Sequence, residues 1–369
     1  MTPPYGWSDQ RVRRLLPRMI DRFKLSLDGM VVYTEAASGA YLGTPVLAAL
    51  AGAARVIAET RDSAYGSVRA VADATLKLAT RLGVEDRIEI VDRRRHDLLA
   101  ESDIVTNSGF VRPIDRDLID ALKPTAVIPL MWETWEFVES QFDLAACKSS
   151  GILVLGTNEH RPPCDMVPYC GLLGLKLLFE LGLEGHDCDV LVLGNPPYPG
   201  GALVEFLRRA GIAVTWFSGE DGGDFRYSDL AGFFESDGKR FDAILVCDHA
   251  HPNCLLGARG YLTFELIKRV NPDIAIGIVT GAIDVEGLAE SGIAYLPRSV
   301  QPFGLMSYQP YHLGPYPVLL LYAAGLKVGE AMAKARRRGL PVAEAAADAL
   351  ASSPAMDFEG ARAWLSTRT

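Results

Sequence analysis

The chain has few of the features that mark secreted, membrane or nucleic-acid-binding proteins. Its six cysteines form no Cys-x-x-Cys pair, and in 369 residues they predict buried or incidental thiols rather than a disulfide framework. It has no apolar run of about 18 or more residues, and residues 1–5 lack the apolar stretch of a signal peptide. The net charge of −9 and the pI near 5.3 argue against nucleic acid or an anionic membrane as a partner. We therefore expect a cytoplasmic protein with neither partner.

The composition is that of a globular protein with a large core. Hydrophobic residues make up 49% and charged residues 22% of the chain. A chain of 369 residues exceeds what one hydrophobic core usually organises, so we expect two domains.

Short β-rich runs alternate with helical patterns along most of the sequence, which predicts mostly parallel sheets covered by helices. The pattern restarts near residue 185 after a long apolar helix at 166–183, and this restart marks the predicted domain boundary. A second long apolar helix is expected at 318–336, followed by a helical tail at 342–369. The predicted strands are 30–34, 55–59, 87–91, 103–106, 126–130, 152–155, 189–193, 213–217, 243–247, 274–279 and 293–296.

The order of these elements between about residues 101 and 336 resembles the D-2-hydroxyacid dehydrogenase superfamily. No single motif is specific, but their order and spacing together carry the resemblance. The motifs are SDIVTNS at 102–108, FDLAAC at 142–147, GILV at 151–154, LVLG at 191–194 and the helix–strand unit at 262–279.

The resemblance implies an α/β fold of two Rossmann-like or flavodoxin-like lobes with parallel sheets and an interlobe cleft. The cofactor lobe would be inserted into the substrate lobe, giving a first lobe of residues 1–184 plus 318–369 and a second lobe of residues 185–317. It further implies NAD or NADP as cofactor, a small-molecule substrate and a homodimer.

The loop at 194–201 (GNPPYPGG) lies between a predicted strand and a predicted helix, where a dinucleotide-binding loop belongs. Glycine there lets the backbone approach a pyrophosphate at the helix N-terminus. Three prolines remove amide donors, so the alternative is a loop that only turns the chain. If the loop binds, the expected cofactor contacts are Gly194, Asn195, Tyr198, Gly200, Gly201, Ser218, His249 and Thr280.

A bulky residue at Gly194 or Gly200 should then block the cofactor and leave the fold intact, because the loop is expected at the surface. A different interpretation applies to residues 248–254 (DHAHPNC), whose Asp, His and Cys side chains are all zinc ligands. They have no third ligand at a recognised spacing, and we expect no metal.

Two positions depart from the family pattern. The family holds its oxo-acid substrate with an arginine after the strand at 274–279, and the matching residue here is Thr280, which has no bidentate fork. The glycine-rich loop that cradles the substrate carboxylate is matched by residues 131–136 (MWETWE), which carry two acidic side chains. A simple 2-oxo acid is therefore not the expected substrate.

Three residues are candidates for catalysis. His312 lies one residue out of register with the catalytic histidine of the family, and histidine suits proton transfer near neutral pH. The alternative is a structural histidine in an aromatic loop. Glu133 and Glu159 are candidate partners for a polar or cationic substrate group.

Polar residues of the first lobe supply the remaining candidates. Ser38 and Gly39 follow the first predicted strand and would serve an anion at a helix start, or simply form a capped turn. Other polar groups come directly after later strands and are expected to face the substrate. The candidate substrate contacts are Ser38, Gly39, Tyr41, Asn107, Ser108, Trp132 and Asn158.

Three functions remain open at this point, because fold analogy alone does not choose among them. The leading hypothesis is a divergent NAD(P)-dependent oxidoreductase acting on an unusual small metabolite. The second is a nucleotide- or S-adenosylmethionine-dependent transferase using the Ser38–Gly39 loop. The third is a non-catalytic binding or scaffold protein that keeps the dehydrogenase fold.

Overall fold

The computed structural model describes residues 8–137 and 139–358 of the chain. It divides into two compact units. Unit 1 comprises the described part of residues 1–165 and 314–369, and unit 2 comprises residues 166–313. No helix in the described ranges is long and apolar enough to cross a membrane.

Unit 1 is built on a seven-stranded sheet. The strands are β1 (Val31–Glu35), β2 (Arg55–Glu59), β3 (Ile88–Val91), β4 (Ile104–Val105), β5 (Val127–Pro129), β6 (Leu153–Thr157) and β13 (Ala355–Met356). Their order is β13-β6-β5-β4-β1-β2-β3, and the ladders are parallel except for β13 against β6. The helices are α1 (Asp9–Phe23), α2 (Thr44–Leu50), α3 (Val68–Thr80), α4 (His96–Leu99), α5 (Arg116–Asp120), α6 (Leu144–Ser149), α12 (Pro315–Arg337) and α13 (Val342–Ser352).

Unit 2 is built on a six-stranded parallel sheet of order β12-β11-β10-β7-β8-β9. The strands are β7 (Asp189–Leu193), β8 (Ala213–Ser218), β9 (Phe225–Arg226), β10 (Ala243–Cys247), β11 (Ala275–Thr280) and β12 (Ala294–Leu296). The helices are α7 (Val167–Glu180), α8 (Gly200–Arg209), α9 (Leu230–Asp237), α10 (Phe264–Val270) and α11 (Val285–Ser291).

Both sheets have the strand order of the dinucleotide-binding Rossmann fold when the strands are counted along the chain. The direction of strand addition reverses between β1 and β4 in unit 1 and between β7 and β10 in unit 2. Ligands of open α/β sheets bind outside the carboxyl ends of the strands at such a reversal. The topology therefore marks one position for a site in each unit.

The predicted fold class, α/β with two mostly parallel sheets, is confirmed. The central strands are continuous apolar runs because helices cover both faces of a parallel sheet. β10 and β11, for example, are buried along their whole length.

The two units meet at residues 165/166 and 313/314 rather than at the predicted 184/185 and 317/318, because α7 belongs to unit 2 and α12 begins at Pro315. Glycines on α7 allow this helix to approach α8 closely. A Cβ at Gly174 would lie 2.7 Å from Leu203 Cδ1, and one at Gly171 would overlap the Phe206 side chain. The apolar pattern of α7 predicted burial, but this pattern does not specify against which sheet the helix packs.

The predicted C-terminal helix at 342–369 is wrong over its middle part, and residues 359–369 lie outside the described residues. Helix α13 ends at Ser352, since Pro354 disfavours helical backbone at the residue before it. Ala355 then pairs antiparallel with Thr157 at the edge of the unit 1 sheet. Helix α1 was not predicted, although its buried Val12, Leu15, Leu16 and Met19 follow a helical spacing.

Candidate functional site

The loop between β7 and α8 lies at the strand-order reversal of unit 2, and two of its glycines pack directly against each other. A Cβ at Gly194 would lie 2.6 Å from the Cys247 carbonyl oxygen and 2.7 Å from Gly200 Cα. A Cβ at Gly200 would lie 2.6 Å from Gly194 Cα. Both glycines are buried, so the surface position expected for them is wrong. At Gly201 a Cβ would make ordinary contacts of 3.5 Å.

The first amides of α8 are occupied by carbonyls of the same loop. Gly201 N donates to the Asn195 carbonyl (3.3 Å), and Ala202 N donates to the Pro197 carbonyl (3.0 Å). These are the donors that a dinucleotide-binding loop turns towards a pyrophosphate. In this structure a phosphate would have to displace the two carbonyls to reach them.

Asn195 closes the gap between the ends of β7 and β8. Its Oδ1 accepts hydrogen bonds from Ser218 Oγ (3.0 Å) and Gly219 N (2.8 Å), and Ser218 Oγ in turn accepts from Glu220 N (3.0 Å). Asn195 and Ser218 are both buried. They form an internal connection between loops, so Ser218, an expected cofactor contact, already uses its hydroxyl within the protein.

The loop after β10 is organised by a buried aspartate. Asp248 accepts from Tyr227 Oη (2.6 Å), Ala250 N (2.9 Å) and His251 N (3.0 Å). His251 Nε2 lies 3.2 Å from Tyr261 Oη. In the described part of the chain no three His, Cys, Asp or Glu side chains are grouped to hold a metal ion.

Three other predicted residues of unit 2 are placed as follows. The rings of Tyr198 and His249 meet edge to face, with centroids 5.9 Å apart. Thr280 is 1% exposed, and its Oγ1 donates to the Leu305 carbonyl (3.1 Å). The hydroxyl of Thr280 is thus committed to the interior of unit 2.

His312 is held between two tyrosine rings. Its ring stacks on Tyr308 and Tyr311 with centroid distances of 4.1 Å each, and its Nδ1 lies 2.9 Å from the Gln309 carbonyl oxygen. Burial lowers the pKa of His312, although Glu180 acts in the opposite direction. Glu180 also accepts from Tyr308 Oη (2.7 Å). Glu180 therefore acts on His312 through its charge and bonds the tyrosine that stacks on it, and the sequence did not indicate this acid.

In unit 1, a closed cluster of buried hydroxyls lies at the reversal between β1 and β4. Thr34 Oγ1 is 2.9 Å from Thr106 Oγ1, and Thr106 Oγ1 is 2.6 Å from Ser108 Oγ. Tyr322 Oη lies 2.8 Å from Ser108 Oγ and also bonds Thr34 Oγ1. Burial raises the pKa of Tyr322 above its usual range, so the phenol stays protonated. Ser108, a predicted substrate contact, is engaged in this internal network.

Glu35 and Arg112 form a second polar group near this cluster. The buried Glu35 accepts from Phe110 N (3.1 Å), and Arg112 Nη1 donates to Gln141 Oε1. Burial raises the pKa of Glu35, while the Phe110 amide and Arg112 lower it. A Cβ at Gly109 would lie 3.1 Å from Glu35 Oε2 and 3.8 Å from Arg112 Nη2. The two charged groups therefore both border the bare Cα of Gly109.

Two predicted substrate contacts lie beside this pair. The guanidinium carbon of Arg112 is 4.9 Å from the ring centroid of Trp132. Asn107 is fully buried, and its Oδ1 accepts from Met131 N (2.9 Å). Three buried donor atoms in this group have no hydrogen-bond partner among the described residues: Asn107 Nδ2, Arg112 Nε and Trp132 Nε1.

Three glutamates gather at the ends of β5 and β6. Glu133 Oε1 accepts from Glu159 N (3.0 Å) and lies 3.6 Å from His160 Nε2. Burial, and then the charge of Glu133, raise the pKa of Glu136 to about 8. Burial and both neighbouring carboxyls also raise the pKa of Glu159. The structure thus brings together Glu133 and Glu159, which the sequence proposed separately, and adds Glu136.

The other predicted residues of unit 1 lie apart from a helix start. Helix α2 begins at Thr44, whereas Ser38 precedes and Gly39 begins a short 3-10 turn, so the helix start expected at these two residues is wrong. Ser38 Oγ donates to the Tyr65 carbonyl (3.0 Å), and Tyr41 is exposed. Asn158 Oδ1 accepts from His160 N (3.0 Å).

Glu35 and Arg112 were not predicted from the sequence, and Glu136 was noted as an acidic residue of the loop at 131–136 but not as a candidate. Glu35 ends a buried apolar strand, a signal that the sequence does contain. Arg112 lies in a loop, and nothing in the local pattern indicates that its guanidinium meets Trp132.

Comparison with known proteins adds information on the fold. No protein-family model matches the chain, and no curated protein sequence matches it. The structure is similar to that of a dipicolinate synthase subunit from Bacillus halodurans, with a TM-score of 0.52 and 11% identity over 81% of this chain and 96% of that chain.

Two solved dehydrogenases show weaker likeness. D-lactate dehydrogenase with NAD+ from Lactobacillus jensenii has a TM-score of 0.43 and 13% identity over 83% of this chain and 97% of that chain. NAD+-bound 3-phosphoglycerate dehydrogenase in Entamoeba histolytica has a TM-score of 0.43 and 14% identity over 85% and 97%. The likeness to the dipicolinate synthase subunit shows a shared fold.

Proposed function

We propose that the chain is an NAD(P)-dependent oxidoreductase in which unit 2 binds the dinucleotide and unit 1 binds a small polar substrate. The observation that carries the proposal is the β7–α8 loop, where Gly194 and Gly200 touch at the strand-order reversal of a Rossmann-type sheet. This glycine contact gives the strand–helix approach that dinucleotide-binding loops require. The loop also lies at the carboxyl end of β7, on the side of the sheet where such cofactors bind.

The path of the loop backbone suits a dinucleotide, but the amides of Gly201 and Ala202 are already hydrogen-bonded within the loop. The cofactor would lie against residues 194–201, with Tyr198 and His249 beside it. When bound, it would supply the hydride acceptor or donor of the reaction. Because the carbonyls of Asn195 and Pro197 occupy the amides of Gly201 and Ala202, binding must first break two hydrogen bonds. We therefore expect weak affinity, with a Kd of about 0.1–1 mM.

In this proposal the chain's own residues provide an acid–base group and a substrate site. His312 holds or moves a proton at Nε2, since Nδ1 is engaged with the Gln309 backbone amide and carbonyl. The lowered pKa of His312 favours the neutral ring at pH 7, so the residue would begin as a base. The Tyr308 ring fixes the plane of the imidazole, and Glu180 positions that tyrosine.

Ligand screening by thermal denaturation tests the cofactor assignment. NADH or NADPH at about 10 mM should raise the melting temperature, because a ligand of the native state stabilises by mass action. S-Adenosylmethionine is the comparison ligand. Stabilisation by S-adenosylmethionine alone would favour the transferase hypothesis, and no effect of any nucleotide would favour a scaffold protein.

Simple 2-oxo acids should be turned over negligibly with either nicotinamide cofactor. Thr280 stands where the dehydrogenases that the sequence resembles carry an arginine, and its hydroxyl donates a hydrogen bond to the Leu305 carbonyl. Unit 2 therefore offers no bidentate carboxylate contact at this position. The measurement is NADH and NADPH oxidation with pyruvate, glyoxylate and hydroxypyruvate. Robust turnover of any of the three would show that the assignment of position 280 is wrong.

A further inference from the structure

Three buried donors of unit 1 lack an acceptor among the described residues at one place in the fold. They are Asn107 Nδ2, Arg112 Nε and Trp132 Nε1, at the carboxyl ends of β4 and β5. Leaving a buried donor unpaired costs about 1–3 kcal/mol, so natural proteins rarely keep several together. Asn107 is fully buried, and its Oδ1 is fixed on Met131 N, which determines where Nδ2 lies. An acceptor that arrives with a ligand explains this concentration of donors.

Glu35 supplies the opposite charge on the same side of the sheet. Its Oε2 accepts from Phe110 N, and Gly109 separates it from the Arg112 guanidinium. Arg112 donates to Gln141 rather than to this carboxylate, so it acts on Glu35 through its charge without a direct hydrogen bond. The Glu35 carboxylate and the Arg112 guanidinium lie on either side of the Gly109 Cα. One small molecule that carries both a positive and a negative group could therefore contact both side chains.

We propose that unit 1 binds a small zwitterion, an α-amino acid. Its carboxylate would take the donors of Asn107, Arg112 and Trp132, and its ammonium would face Glu35. A carboxylate without the ammonium would be repelled by Glu35, and an amine without the carboxylate would leave the three donors unpaired. The inference rests on the proposed function only where it makes the amino acid the substrate; binding itself needs no cofactor.

The indole N–H of Trp132 provides a direct readout. In protein labelled with ¹⁵N-tryptophan, the Trp132 indole resonance is assigned with Trp132→Phe. The buried Trp216 indole donates to the Gly194 carbonyl in unit 2 (2.6 Å), so its resonance is the internal control. The probes are the twenty common amino acids, together with acetate, which is glycine without its amino group, and methylamine, which is glycine without its carboxyl group. Each is added at about 10 mM to detect millimolar Kd values.

At least one amino acid should shift the Trp132 resonance and leave Trp216 unchanged. The deamino acid and the decarboxylated amine of that amino acid should each bind at least about tenfold more weakly. Glu35→Gln should abolish the preference over the deamino acid, because the amide keeps the Phe110 contact without the charge. Arg112→Lys should weaken binding, since lysine has no Nε–H fork. Glu89→Gln, at the pair with Arg55, is the matched control and should bind as the parent does.

Two results would overturn the proposal. One is the absence of any Trp132 shift with all twenty amino acids in folded protein. The other is a deamino acid that binds as tightly as its amino acid, which would leave Glu35 without a role. NADH binding is measured separately, by its effect on the melting temperature. Amino acid binding without any cofactor effect would leave this site standing and remove the proposed oxidoreductase function.

Discussion

Replacing Gly194 with alanine should destabilise unit 2 by about 2–3 kcal/mol, whatever its effect on a cofactor. The added Cβ would lie 2.6 Å from the Cys247 carbonyl oxygen and 2.7 Å from Gly200 Cα. Both neighbours are backbone atoms, so neither can turn away as a side chain could. The change should therefore push β7, β10 and the start of α8 apart. This corrects the expectation that a bulky residue at Gly194 spares the fold.

Urea denaturation followed by tryptophan fluorescence measures the effect, because the Trp216 indole bonds the Gly194 carbonyl. Gly201→Ala is the matched control in the same loop: its Cβ would meet atoms at 3.5 Å and its stability should change little. Gly39→Ala in unit 1 should cost about 1 kcal/mol through its φ of +61° alone. Equal stabilities of Gly194→Ala and Gly201→Ala would contradict the tight loop packing.

The free energy of unfolding should fall as the pH rises from about 5 to about 8. The pKa of Glu136 is raised to about 8 in the folded protein, above the usual value of 4.5 expected after unfolding. The folded state therefore binds more protons across this interval. The stabilising contribution is complete below pH 4.5 and is lost as the pH passes through about 8. Glu159, whose pKa is also raised, acts in the same direction.

Glu136→Gln should flatten this pH dependence and stabilise the protein by about 2 kcal/mol at pH 8. The amide cannot ionise, so the repulsion among the three carboxylates is reduced to that between Glu133 and Glu159. The measurement is the unfolding free energy between pH 5 and pH 8.5. Glu139→Gln, at an exposed position in the neighbouring turn, should keep the parental slope. A parental slope in Glu136→Gln would show that this carboxyl ionises normally.

The candidate site illustrates how far local sequence goes. Asn107 and Glu159 were proposed because polar residues that follow buried strands meet at one edge of a parallel sheet. Glu133 and Trp132 were proposed because their loop matches the carboxylate-binding loop of the family. Their partners were harder to find. Glu136 lies near Glu133 in sequence, yet only the turn at 134–136 brings its carboxyl back towards the other two.

Unit 2 shows a different case, in which the motif was recognised in the sequence but its hydrogen bonds were not predictable. The sequence located the Gly194–Gly201 loop and its missing proline amides correctly. It could not show that the carbonyls of Asn195 and Pro197 fold back onto α8, or that Asn195 ties Ser218 into the interior. Hydrogen bonds between loop residues depend on backbone angles that the residue types leave open.

The sequence by itself determined the alternation of strands and helices, because burial on both faces of a parallel sheet imposes continuous apolar runs such as β10. Only the tertiary structure decided which strands are neighbours. It placed β1 beside β4, with Val32 opposite Ile104, although β2 and β3 lie between them in the chain. That pairing brings Glu35 to Gly109 and Arg112, and it depends on packing between distant segments, which no local pattern encodes.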